Sequence, residues 1–256
     1  MEYFAGIFDA EGTLSLTPKG AFPISIEMAN EEIPNLFKST FGGSIYTRKR
    51  ENRKKTWTWK INSINDQAIH FLKSISYSVV KASQREYLLM YLSLNRKERR
   101  EEREGFCEQI RKSKTPQSLE SWYGLTDRKE IPDESFFRWL AGFIDGDGNF
   151  VCNQYIDNRN NKKYFFHQMS FANTDGYLFN WLESYFQGTI VKCPRKEHML
   201  YKWTPKRKDE KFIARSILPH LIVKKQQCML FLDFIESRDS IEKFKIIDQI
   251  KHLNSL

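Results

Sequence analysis

Phe4-Ala-Gly-Ile-Phe-Asp-Ala-Glu-Gly12 and Leu140-Ala-Gly-Phe-Ile-Asp-Gly-Asp-Gly148 are near-copies of one another, 136 residues apart. Each reads as an apolar helix with a small-residue face, because Gly6 and Ala10, like Gly142 and Gly146, stand four apart on one side. Two such faces allow helix backbones to touch, since no side chain stands between them. Each helix ends in an acid, Glu11 or Asp147, followed by a glycine suited to a left-handed cap. A carboxylate there is electrostatically misplaced, because the C-terminal end of the helix dipole is already negative. Pairing the helices brings two like charges together. A divalent cation that favours oxygen, such as Mg²⁺, neutralises a cluster of that kind.

Both stretches resemble the LAGLIDADG motif, and the chain is similar to the single-chain, two-motif homing endonucleases of that family. The resemblance rests on nine residues in each copy, with a strand-like run after each. It implies an α+β fold of two pseudo-symmetric αββαββα-type halves. Each half would carry a four-stranded antiparallel DNA-binding sheet, and the two would pack through the motif helices. The implied activity is cleavage of both strands of duplex DNA near the centre of a long, asymmetric target. The implied cofactor is Mg²⁺, with Mn²⁺ able to substitute and Ca²⁺ binding without supporting cleavage. Glu11 and Asp147 would hold the metal together with the carbonyls of Ala10 and Gly146.

The same resemblance assigns further roles. Lys81 and Lys224 match the family's basic active-site residue, which stabilises developing phosphoryl charge or orders water. Lys225 is the alternative to Lys224 if the register shifts by one. Asn30 and Asn173 match the polar residue that positions the attacking water. Asp9 and Asp145 are read as helix-packing residues, with contact to the metal as the alternative. One departure is visible: the first motif has Glu11 where the second has Asp147, so unequal cutting of the two strands is expected.

Forty-one basic against thirty-two acidic side chains give a net charge of +9, which suits an anionic partner. Cys107, Cys152, Cys193 and Cys228 form no Cys-x-x-Cys pair, and five histidines are scattered. Zinc is therefore not expected, and a reducing compartment is. No secretory signal or membrane-spanning run is expected, so the reading is intracellular, with organelle, bacterial and phage origins left open.

After Glu11, Thr13 to Thr17 and Phe22 to Asn30 alternate as half-buried strands. A helical stretch from Ile33 to Phe41 stops at Gly42-Gly43. Ser44 to Arg48 and Thr56 to Asn62 read as a hairpin around a charged tip, with helices at Asp66 to Ile75 and Ser83 to Asn95. The second half repeats the order from Asn149 to Ile235. Asn30 and Asn173 lie 143 apart, Gly43 and Gly188 145, and Lys81 and Lys224 143. Arg96 to Arg103 reads as an exposed, charged helix end, and Asp239 to Leu256 as an amphipathic helix. The expected division is 1–111, a linker over 112–132, and 133–256.

Helices covering one sheet face leave the other for water or a ligand. In the first half that face would carry Thr13, Ser15, Thr17, Ser25, Glu27, Arg48, Arg50, Thr56, Thr58 and Lys60, with Arg53 and Lys54 at the basic tip. In the second it would carry Asn149, Asn153, Tyr155, Gln168, Ser170, Arg195 and Lys202. Such side chains bond to base edges and phosphates, and a two-stranded ribbon fits the major groove. Two sheets of this size span roughly 18–22 base pairs. The faces differ between the halves, so a monomer on double-stranded DNA is expected. An RNA-binding maturase acting on a host intron and an inactive DNA-binding protein are the alternatives. Neither needs the paired acids and lysines, which this chain retains.

Overall fold

The computed structural model describes residues 1–49, 51, 54–62, 66–114, 132–159, 161–196 and 198–255. The first half runs α1 (Glu2–Glu11), β1 (Gly12–Leu14), β2 (Ile24–Met28), α2 (Glu32–Phe41), β3 (Ser44–Arg48), β4 (Thr56–Ile61), α3 (Asp66–Ser74) and α4 (Ala82–Ser93). Two short helices follow, α5 (Arg96–Glu101) and α6 (Arg103–Ser113). The second half repeats the first: α7 (Glu134–Asp147), β5 (Gly148–Asp157), β6 (Lys162–Asn173), α8 (Gly176–Glu183), β7 (Gly188–Pro194), β8 (Met199–Pro205), α9 (Arg207–Ile217) and α10 (Lys225–Glu236). A last helix, α11 (Ser240–Ser255), packs on α10 and β5.

Each half holds a four-stranded antiparallel sheet, ordered β1-β2-β4-β3 in one and β5-β6-β8-β7 in the other. The shared order reflects the internal repeat. Alternation then sorts the side chains. Ile26 pairs with Trp59, and Trp59 with Ile45, all on the helix-covered face. Trp59 and its counterpart Trp203 are fully buried. Their indole N–H groups are satisfied, donating at 2.7 Å to the carbonyl of Gly42 and to Glu183 respectively. A buried tryptophan stabilises strongly only when that polar edge finds a partner.

The halves meet through α1 and α7. A Cβ added at Gly6 would stand 1.9 Å from the Trp139 carbonyl oxygen, and one at Gly142 would stand 2.1 Å from that of Tyr3. The small faces therefore touch backbone to backbone, as their spacing predicts. The expected left-handed caps are not formed. Gly12 (φ −78°, ψ 152°) and Gly148 (φ −81°, ψ 161°) are extended, and each chain passes straight from helix into strand. Glycine is required there for room, because a Cβ at Gly12 would lie 2.3 Å from the Phe8 carbonyl oxygen.

Other differences are local. The ladder of β1 ends at Leu14, although Ser15 and Thr17 continue pairing through single bonds from their amides to Pro23 and Ala21. The charged stretch after Asn95 is a separate helix rather than the end of α4. Asn95 and Glu98 form a capping box that restarts it. Helix α6 was not foreseen and carries helical structure past the expected boundary at residue 111. Helix α11 is amphipathic as expected, with Ile247 and Ile250 buried, but Ile241 faces solvent. Most of the expected linker, 115–131, lies outside the described residues. Among the described residues no helix is long and apolar enough to cross a membrane.

Candidate active site

Helices α1 and α7 end side by side, which brings Glu11 and Asp147 together. Asp147 is exposed, whereas Glu11 is half-buried and lines a groove of about 570 Å³ together with Asn30, Lys54, Gly146, Asn149 and Lys224. Burial, and then repulsion from Asp147, push the Glu11 carboxyl up to about 7. Asp147 is pushed up to about 6, mainly by loss of water from its surroundings. Lys224 and Lys81 oppose both shifts, and a hydrogen bond from Asn173 opposes that of Asp147.

The two lysines explain how a helix can end in an acid. Lys81 immediately precedes α4 and Lys224 immediately precedes α10. Lys81 Nζ donates to the Asp9 carbonyl at 2.6 Å. Lys224 Nζ donates to the carbonyls of Ile144, Asp145 and Gly146 at 2.8, 2.9 and 2.9 Å. Each cation therefore satisfies carbonyls at a negative helix end. Burial pushes both ammonium groups below the usual lysine range, against the pull of the neighbouring acids. Lys225 is exposed and lies outside this arrangement, so the register places Lys224 at the site.

Asp9 and Asp145 do more than fill the helix interface. Asp9 is 1% exposed and accepts from the amides of Val79 at 2.7 Å and Lys81 at 3.0 Å, and from the Ser78 hydroxyl. Asp145 is 2% exposed and accepts from the amides of Ile222, Val223 and Lys224 at 2.7, 3.1 and 2.7 Å. These contacts fix the turns that carry the lysines. No motif spacing signals them, because the partners are about seventy to eighty residues away in sequence.

Asn30 and Asn173 sit at matching strand ends. Asn30 Oδ1 accepts from the amides of Glu32 and Ile33, and Asn173 Oδ1 accepts from that of Asp175. With the oxygens committed, each side chain presents its amide nitrogen. That of Asn173 turns to Asp147.

The donor set suits a hard cation. Two carboxylates and the helix-end carbonyls of Ala10 and Gly146 are all oxygen ligands, and the repulsion between the acids is what a divalent ion relieves. Among the described residues no group of three or more His, Cys, Asp and Glu side chains could hold a metal. Any ion here would complete its shell with carbonyls, water and ligand oxygens.

Above this site the strand registers place Thr13, Ser25, Glu27, Arg48, Thr56, Thr58 and Lys60 on one face of the first sheet. Tyr46 shares that face at 53% exposure and was missed, although it stands two residues before Arg48 and follows by alternation. Ser15 is tied to Lys114 Nζ at 2.6 Å, and Thr17 Oγ1 accepts from the Ala21 amide. Arg50 and Arg53 lie outside the described residues.

On the second sheet, Asn149, Asn153, Tyr155 and Gln168 share the open face. Tyr155 stacks on Tyr164 with ring centroids 5.4 Å apart. Lys202 reaches Gln168, and Arg195 is exposed at the β7–β8 turn. Ser170 shares the face by register, but it is 1% exposed. A short side chain in an inner strand lies beneath its longer neighbours.

Residues 140–237 match the family profile described as LAGLIDADG endonuclease. No curated protein matches the chain by sequence. Among solved structures, I-SmaMI, a LAGLIDADG homing endonuclease bound to cleaved DNA, superposes with a TM-score of 0.67 at 20% identity, covering 99% of this chain and 95% of that one. I-SmaMI bound to uncleaved target in the presence of calcium ions gives 0.66 at 20%, covering 99% and 97%. The LAGLIDADG meganuclease I-AabMI bound to uncleaved DNA gives 0.68 at 17%, covering 98% and 97%. By sequence through most of its second half, and by fold over nearly its whole length, the chain is similar to the single-chain LAGLIDADG endonucleases.

Proposed function

We propose that the protein is a site-specific, divalent-metal-dependent DNA endonuclease. It acts as a monomer of two domains on a duplex target of roughly 18–22 base pairs and cuts both strands near the centre. The observation that carries this reading is the pairing of Glu11 and Asp147 at touching helix ends, each flanked by a lysine held in place by its own half. Glu11, Asp147 and the carbonyls of Ala10 and Gly146 are the groups that would hold Mg²⁺. Such an ion supplies charge neutralisation at phosphoryl oxygens and acidifies bound water. Lys81 and Lys224 place positive charge beside the phosphates, and the amide nitrogens of Asn30 and Asn173 orient water. The open faces of the two sheets hold the duplex through base edges and phosphates. An RNA-binding maturase requires none of the acid–lysine assembly, which favours the nuclease.

The test is incubation with Mg²⁺ and a pool of long duplexes drawn from genomic or randomised sequence, followed by sequencing of new ends. Discrete cuts at one extended site support the reading. Retention of duplex without any cut, or equal cutting by a Glu11→Gln/Asp147→Asn protein, overturns it.

A further inference from the structure

The residue immediately before each motif reaches into the other half. Tyr3 Oη donates to Asp145 at 2.7 Å, and Trp139 Nε1 donates to Asp9 at 2.9 Å. Tyr3 precedes Phe4 and Trp139 precedes Leu140, so the donors occupy equivalent positions of the repeat, and so do the acceptors. A phenol and an indole differ in size and shape. What they share is a polar hydrogen aimed at a buried carboxylate of the opposite helix.

Each of those carboxylates also holds a lysine turn. Asp145 gathers the amides of Ile222, Val223 and Lys224, and Asp9 those of Val79 and Lys81. Two short chains of bonds therefore cross the interface in opposite senses. One runs from Tyr3 through Asp145 to Lys224, the other from Trp139 through Asp9 to Lys81. A carboxylate with several donors loses orientation when one is removed, and its remaining amides relax with it.

We propose that Tyr3 and Trp139 are positioning residues, each setting the placement of the lysine in the opposite half through the acid it touches. The kinetic consequence rests on the endonuclease reading; the structural one does not. The arrangement makes each half an incomplete catalytic unit. Its lysine is placed correctly only while the partner helix supplies the aromatic donor.

Tyr3→Phe deletes one oxygen and keeps the ring, so it is the first variant to make. Strand-specific cleavage rates on an end-labelled target come first for Lys224→Met and Lys81→Met, which assign each strand to a lysine. Tyr3→Phe is expected to slow the Lys224-dependent strand about tenfold, the scale of one hydrogen bond to a charged group. KM should stay within about twofold, so that the loss falls on kcat and nicked duplex accumulates. Trp139→Phe should bias the other strand. Asp145→Asn, which keeps the shape and exchanges an acceptor for a donor, should reproduce the bias of Tyr3→Phe.

Amide hydrogen exchange of the protein without DNA gives an independent reading. In Tyr3→Phe the amides of Ile222, Val223 and Lys224 should exchange faster while those of Val79 and Lys81 do not. Bias on the wrong strand, equal slowing of both strands, or unaltered exchange at Ile222 to Lys224 overturns the proposal. If the wild-type protein cuts nothing, the endonuclease reading fails and the exchange experiment still decides the bond chain.

Discussion

Glu11 titrates near neutrality because it is both desolvated and faced by another acid, and this has a measurable sign. Its carboxyl and that of Asp147 bind protons more tightly in the folded chain than in the unfolded one. The stability they contribute is complete below the unfolded carboxylate values, near 4. It is lost as pH rises through about 6 and then 7. Metal-free protein should therefore melt at a lower temperature at about pH 8 than at about pH 5.5, and Glu11→Gln should flatten the trend. Calorimetry with Ca²⁺ should run the other way, with affinity rising over the same interval because the ligands must be deprotonated. An equal melting profile for the wild type and Glu11→Gln would show that the acid pair carries no such linkage. In cleavage assays Glu11→Gln or Asp147→Asn should abolish most cutting and change DNA affinity by no more than about 1.4 kcal/mol, a factor of ten. The acids and lysines could be read from the sequence because each appears twice at matching offsets. Tyr3 and Trp139 could not, since their partners lie 142 and 130 residues away and nothing local marks an aromatic residue as a donor.

At the scale of elements, the crossing of α1 over α7 is the most exacting contact in the fold. Gly142→Ala would set a methyl group against the Tyr3 backbone, which has no side-chain freedom with which to yield. Overpacking of this kind costs about 3 kcal/mol or more. Urea denaturation followed by tryptophan fluorescence should show it, and an unchanged midpoint would mean that the helices separate easily. The strands followed from two-residue alternation, and β3 and β4 form where the hairpin was expected, whereas the pairing of β2 with β4 and of β6 with β8 emerges only in the folded chain. Helix α6 escaped because only Phe106, Cys107 and Ile110 face inward in a stretch crowded with charge. The glycines after each motif were legible as necessary, though for the wrong reason. Periodicity shows where a helix stops, whereas the room a following strand needs appears only when the chain is folded back on itself.

The whole molecule presents two unlike sheet faces joined at the crossing of α1 and α7. About six phosphate contacts imply a log–log salt slope of about −5, and Lys54→Ala should reduce it by about one unit without changing base preference. Lys54 lines the groove beside Glu11, so an unchanged slope would separate that groove from the duplex. Sedimentation with footprinting should give one chain on roughly 18–22 base pairs of non-palindromic sequence. Two chains per duplex would mean that the sheets do not read one continuous site. The glycine contacts at the helix crossing carry a consequence for divergence. Main-chain contacts at Gly6 and Gly142, with the Ala10 methyl against Gly146 beside the acids, act as the gauge between the two carboxylates. Mutation can rewrite the open face of either sheet without disturbing that gauge. On the endonuclease reading proposed above, new targets are open to such a scaffold through surface change alone, while the spacing of its cuts is inherited unaltered.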